Sequence, residues 1–151
     1  MKKQSYFKKF AAVAMAAVMT FAFTACGSDD AGTENGGADA NAKFVIGGIG
    51  PTTGGAAVYG QAVKNAAEMA AEEINAAGGI NGYPVEFLWQ DDEHDTEKAV
   101  NAYNSLKDQG MQMLMGTVTS APCTAVVALT SEDNMFQLTP SGSAVESIKG
   151  D

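Results

Sequence analysis

Arginine is absent from this sequence, histidine occurs once and cysteine twice. Each shortage removes a class of function. Four of the nine lysines sit in the first nine residues, and beyond Cys26 five Lys face eighteen Asp or Glu. Binding to a phosphate backbone needs a cationic surface that this chain lacks, so nucleic acid is excluded as a partner. The single imidazole, His94, has no second nitrogen or thiolate nearby in sequence and does not specify a transition-metal site. Adjacent carboxylates in "DDEHD" (Asp91 to Asp95) have the chemistry for magnesium. A solvated loop whose Asp95 caps the next helix explains them more simply. The glycine-rich stretch "GPTTGGAA" is an incomplete phosphate loop, because Ala56 and Ala57 stand where Lys and Ser or Thr belong. The dinucleotide fingerprint fails as well, with Thr53 in place of its third glycine. No metal and no cofactor are expected.

The N-terminus is informative about compartment. Lys2, Lys3, Lys8 and Lys9 form a basic region ahead of "FAAVAMAAVMTFAFTA" (Phe10 to Ala25), an unbroken apolar run. It is shorter than the roughly 20 residues of a membrane span, and small residues precede Cys26, as in a secretory signal. "FTAC" resembles a bacterial lipobox, with Phe23 in place of the usual aliphatic residue. The resemblance implies cleavage after Ala25 and lipidation of Cys26, whose two or more acyl chains hold a protein stably to a membrane. Residues 26–42 contain almost nothing apolar and read as a tether spanning roughly 20–24 Å. With Cys26 acylated, Cys123 has no partner and no disulfide framework exists.

From Lys43 the pattern becomes regular. "KFVIGGI" (Lys43 to Ile49) reads as a buried strand. Gly60 to Ala77 reads as a helix whose inward face carries Val63, Ala66, Ala67, Ala70, Ile74 and Ala77. The link "GGINGYPVEF" supplies glycines for a helix end, Asn-Gly for a tight turn, and Pro84 to extend Tyr83. "VEFLWQD" alternates like a strand with two unlike faces, at a sheet edge. A helix from Thr96 to Gln109 follows, with Ala99, Val100, Tyr103 and Leu106 inward and Gly110 as its stop. "MQMLMG" is a third strand, Ser120 to Glu132 a third helix and "MFQLT" a fourth strand. This alternation predicts an α/β fold with right-handed crossovers and a doubly wound parallel sheet. Function then belongs to the segments after each strand: 48–60, 91–95, 117–123 and 139–143.

Two of those segments suit a zwitterion. Ser120 opens a helix, where unpaired N–H groups and the helix dipole attract an anion and a hydroxyl donates to a carboxylate. "TPSGSA" offers the Ser141 carbonyl and the Ser143 hydroxyl as acceptors for an ammonium group. Helix capping by Ser120 and turn decoration by Ser143 account for the same residues without a ligand. A Cys123–His94 nucleophile pair is a third reading, weakened because Cys123 falls inside a helix.

Four separated blocks, "IGGIGPTTGGAAVYGQ", "AAEEINAAGGINGYPVEFLWQDDEHD", "GTVTSAP" and "LTPSGSA", resemble the branched-chain amino acid (leucine/isoleucine/valine) substrate-binding proteins of ABC transporters. Their fold is the two-lobed type I periplasmic-binding fold. The resemblance runs from about Phe44 to Ala144. It implies a non-enzymatic, extracytoplasmic receptor, anchored through Cys26, that captures an amino acid and passes it to an ABC permease. It also implies that Ser120 holds the ligand carboxylate, the Ser141 carbonyl and Ser143 hydroxyl hold the ammonium, and Tyr59 walls the side-chain pocket. Some members carry a disulfide at the positions of His94 and Thr119, which this sequence lacks. Members have a second lobe with further ammonium contacts; residues 43–151 match part of the first lobe, so the chain reads as an N-terminal fragment. A sensory module for amides or amino-acid-like solutes shares this lobe and is the alternative, as is a doubly wound enzyme using Cys123 and His94.

Overall fold

The computed structural model describes residues 42–149, so the expected signal, Cys26 and nearly all of the tether lie outside the described residues. Strands β1 (Phe44–Gly50), β2 (Val85–Asp91), β3 (Met113–Gly116) and β4 (Phe136–Leu138) alternate with helices α1 (Ala57–Ala76), α2 (Thr96–Asp108) and α3 (Ser120–Glu132). A short 3-10 turn, Val145–Ile148, follows β4. The strands form one parallel sheet in the order β2-β1-β3-β4. This is the doubly wound sheet expected from the alternation, with β2 at an edge.

From β1 the chain steps outward to β2, then crosses back over β1 to β3. Right-handed crossovers in opposite directions put α1 on one face of the sheet and α2 and α3 on the other. The two faces are filled differently. On the α2–α3 face Ile49, Ala99, Tyr103, Leu106, Leu114 and Val126 are fully buried and form the main core. Tyr103 also donates its hydroxyl to Asp133 at 2.6 Å, tying α2 to the end of α3. On the α1 face Phe87 and Trp89 pack beside Gly48, whose missing side chain makes room for them. Towards β4 that face is open: Phe136 is 62% exposed and Leu138 52%.

Helix α1 differs from its expected form in two ways. It begins three residues earlier, at Ala57, because its cap residue Ala56 makes no side-chain hydrogen bond and leaves no sequence signal. Its inward face is also rotated. Gly60 is the buried residue of α1, with Val63, Ala67 and Ala71 half-buried, whereas Ala66, Ala70 and Ala77 are exposed. Alanine on both sides of the helix gives too little contrast to fix its orientation. In α2, Ala102 is buried and Val100 only half-buried, a smaller shift of the same kind.

The glycine link after α1 forms the expected tight turn. Asn81 and Gly82 have φ of 52° and 85°, and Ile80 and Tyr83 exchange reciprocal backbone hydrogen bonds of 2.8 and 2.9 Å. Two consecutive positive φ values define a mirror-image hairpin turn, for which Asn-Gly is the favoured pair. Asn75 then clamps the start of β2, giving its amide to the Val85 carbonyl at 2.8 Å and accepting the Val85 N–H at 2.7 Å. A side chain thereby pairs both backbone groups of an edge-strand residue that no neighbouring strand reaches from that side. All of this lies at the N-terminal end of the sheet, away from the edge where such folds bind ligands.

Candidate ligand-binding site

The strand order reverses between β1 and β3, so their C-terminal ends diverge into loops that flank a crevice. Three side chains stitch the segment after β3 to the segment after β4 through four hydrogen bonds. Thr139 Oγ1 donates to the Thr117 carbonyl at 2.9 Å, and Ser141 Oγ donates to the Val118 carbonyl at 2.5 Å. Ser120 Oγ accepts the N–H groups of Ser143 at 3.1 Å and Ala144 at 3.4 Å. The structure therefore brings Ser120, Ser141 and Ser143 together. Tyr59 lies on the first turn of α1 and is 62% exposed.

The hydrogen bonds at Ser120 have a chemical consequence. A hydroxyl has one proton to give and two lone pairs to receive with. Both receiving positions of Ser120 are occupied by backbone N–H groups, so what remains is the donor. The backbone around it has the same polarity. Thr119 is the cap residue of α3, with φ −108° and ψ 152°, yet its side chain makes no capping hydrogen bond. The N–H groups of Ser120 and Ala121 have no protein acceptor among the described residues, and Pro122 has no N–H to satisfy. One hydroxyl and two amides at the start of α3 thus have unused donor capacity, at the positive end of a helix dipole. An anion fits there. The Ser141 hydroxyl is spent on Val118, which leaves its carbonyl for any ammonium contact.

The loop after β2 departs from the expected solvated loop. Asp95 caps α2 as expected, accepting the Lys98 N–H at 2.9 Å. Asp91, however, anchors the loop after β1: it accepts the Thr52 N–H at 2.8 Å, the Glu93 N–H at 2.9 Å and the Thr53 hydroxyl at 2.7 Å. Burial alone would raise its pKa, but these donors outweigh it and hold the carboxyl at about 2. Asp92 is fully buried, and burial followed by the charge of Asp91 pushes it the other way, above the usual carboxylate value. Only its Oδ1 is partnered, by the His94 N–H at 2.9 Å.

The depressed value of Asp91 has a defined linkage. Its folded pKa lies below the ordinary 3.8, so its stabilisation is complete above about pH 4 and drains away as pH falls toward 2. Asp91→Asn should flatten the pH dependence of the urea midpoint across that interval. A variant whose acid limb overlays the parent's would show that Asp91 is not the anchor.

Cys123 is buried in α3, with its sulfur 3.4 Å from Gln137 Nε2, while His94 Nδ1 lies 2.8 Å from Thr119 Oγ1. Each has a different partner, so the two do not form a nucleophile pair. Among the described residues no group of three His, Cys, Asp or Glu is placed to hold a metal ion.

A doubly wound α/β lobe with unused hydrogen-bond donors beside its switch point has the architecture in which such folds bind small molecules. The chain belongs to the periplasmic binding protein family, whose sequence profile matches residues 43–150. It is 36% identical over 110 residues to a Leu/Ile/Val-binding protein of Rhizobium johnstonii, covering 73% of this chain and 30% of that one. A leucine-, isoleucine-, valine-, threonine- and alanine-binding protein of Pseudomonas aeruginosa is 35% identical over 97 residues, covering 64% and 26%. Among solved structures, the branched-chain amino acid transporter substrate-binding protein of Streptococcus pneumoniae, in complex with isoleucine, matches with a TM-score of 0.66 at 29% identity. That match covers 70% of this chain and 31% of the other. The chain thus spans about 30% of the length of these relatives, as a fragment of the type I fold. The family consists of binding proteins rather than enzymes, and its membership places the chain outside the cytoplasm.

Sequence reasoning missed the Asp91 anchor, which joins residues 38 or more apart. The His94–Thr119 contact joins residues 25 apart, at the pair of positions that some members of the resembled family link by a disulfide. Neither separation leaves a periodic trace. The aspartate-rich motif marked the place without showing which carboxylate turns inward.

Proposed function

We propose that this chain carries the first ligand-binding lobe of a lipid-anchored receptor that captures a branched-chain or related amino acid and delivers it to an ABC permease. The observation that carries the reading is the donor cluster at Ser120: a hydroxyl left with only its proton to offer, beside two uncapped amides. A carboxylate is the group that complements it. Ser141, through its carbonyl, and Ser143, through its hydroxyl, are assigned to the ammonium, and Tyr59 to the side-chain pocket. The names of the relatives point to the same ligand class. Lipidation of Cys26 would keep the receptor at the membrane face where a permease sits. Closure of two lobes around the amino acid would be the working motion.

Isothermal calorimetry on the intact gene product tests this. Heat of binding is expected with leucine, isoleucine or valine. Silence with these and with other amino acids, together with binding of amides alone, would favour the sensory module instead.

A further inference from the structure

Thr119 is a good capping residue that does not cap. Its backbone is extended, as a cap requires, and threonine hydroxyls are preferred acceptors at this position. With Pro122 at the third helical position, the N–H within its reach is that of Ala121. That amide nonetheless stays open: Thr119 Oγ1 makes no bond to it and lies instead 2.8 Å from His94 Nδ1, a contact that holds the threonine rotamer away from its own helix. His94 is itself held in place. It adopts φ of 63°, in the left-handed region, and its N–H is fixed to the buried carboxylate of Asp92. In the sheet order β2-β1-β3 the contact passes from the loop after β2, across the end of β1, to the start of α3.

We infer that His94 is a positioning residue that withholds the Thr119 hydroxyl from its own helix and so keeps the Ala121 N–H available to the ligand carboxylate. The inference rests on assigning the start of α3 to that carboxylate. Freed from His94, Thr119 would swing onto Ala121 and compete with the ligand as an internal acceptor. A threonine cap stabilises a helix by about 0.5–2 kcal/mol, which as a competing interaction corresponds to roughly a 2- to 30-fold loss of affinity.

The discriminating experiment is a rescue. His94→Gly keeps the left-handed backbone unstrained and should weaken leucine binding by the intact gene product several-fold. Adding Thr119→Val removes the competing hydroxyl and should restore most of that loss. An ordinary structural crosslink behaves differently: the second substitution would then leave affinity unchanged or lower it further, and either result overturns the inference. Full affinity in His94→Gly overturns it as well. The hydrogen exchange of the Ala121 amide gives a readout without ligand. It should slow in His94→Gly, where Thr119 caps it, and recover in the double variant. Unchanged exchange in the single variant contradicts the mechanism even if the intact protein binds none of the amino acids.

Discussion

Ser120→Ala will weaken amino acid binding by roughly 10- to 100-fold, the loss expected when a hydrogen bond to a charged group is removed. The effect is large because the hydroxyl has a directed role. Its two acceptor positions are filled by the N–H groups of Ser143 and Ala144, so its proton is aimed outward and needs no reorganisation when a carboxylate arrives. The substitution also leaves those two amides without their acceptor, loosening the loop that presents Ser141 and Ser143. Ser120→Thr separates the two contributions, since it retains a hydroxyl at the same backbone position and should recover a substantial part of the affinity. Calorimetric titration of both variants provides the measurement. Equal affinities for the parent and the alanine variant would remove Ser120 from the site.

A second large effect is expected where helix propensity predicts the opposite sign. Gly60 lies inside α1, and alanine in a helix interior is ordinarily favoured over glycine by about 1 kcal/mol. Here a Cβ would stand 1.9 Å from the Pro51 carbonyl oxygen and 2.5 Å from its carbon. Those are backbone atoms of the loop after β1, so the clash is not relieved by rotating a side chain. Gly60→Ala should therefore destabilise the protein by about 2–3 kcal/mol, in the range of overpacked cores. It should also weaken ligand binding, because Pro51 leads into Thr52 and Thr53, which Asp91 holds at the edge of the site. Gly55→Ala is the control, as a Cβ there would meet no atom within 4 Å. Urea denaturation of the two variants decides the matter. A stabilised Gly60→Ala would show that α1 does not approach the β1 loop this closely.

The succession of strands and helices is readable in the sequence because buried parallel strands are short apolar runs and the turn chemistry between them is explicit. Asn81-Gly82, the Asp95 cap and Gly110 each mark a boundary with one physical cause. The orientation of α1 is not readable, since alanines on opposite sides of a helix carry no directional information and its fully buried residue is a glycine, packed on the loop after β1. At the site, Ser120 can be placed from its position at a helix start, and the neighbourhood of Ser141 and Ser143 from the order of the loops. The division of labour within that cluster is hidden. It depends on which lone pairs are already occupied, and those bonds connect residues more than twenty positions apart. The aspartates escape a sequence reading for a related reason: Asp91 and Asp92 are adjacent, yet one is held ionised by donors and the other is pressed toward its neutral form by burial.

The most direct test is a crystal structure of the intact gene product with L-leucine bound. One carboxylate oxygen should lie about 3 Å from Ser120 Oγ and the other within hydrogen-bonding reach of the Ala121 N–H. Leucine seated elsewhere, with Ser120 bonded only to Ser143 and Ala144, would contradict the account.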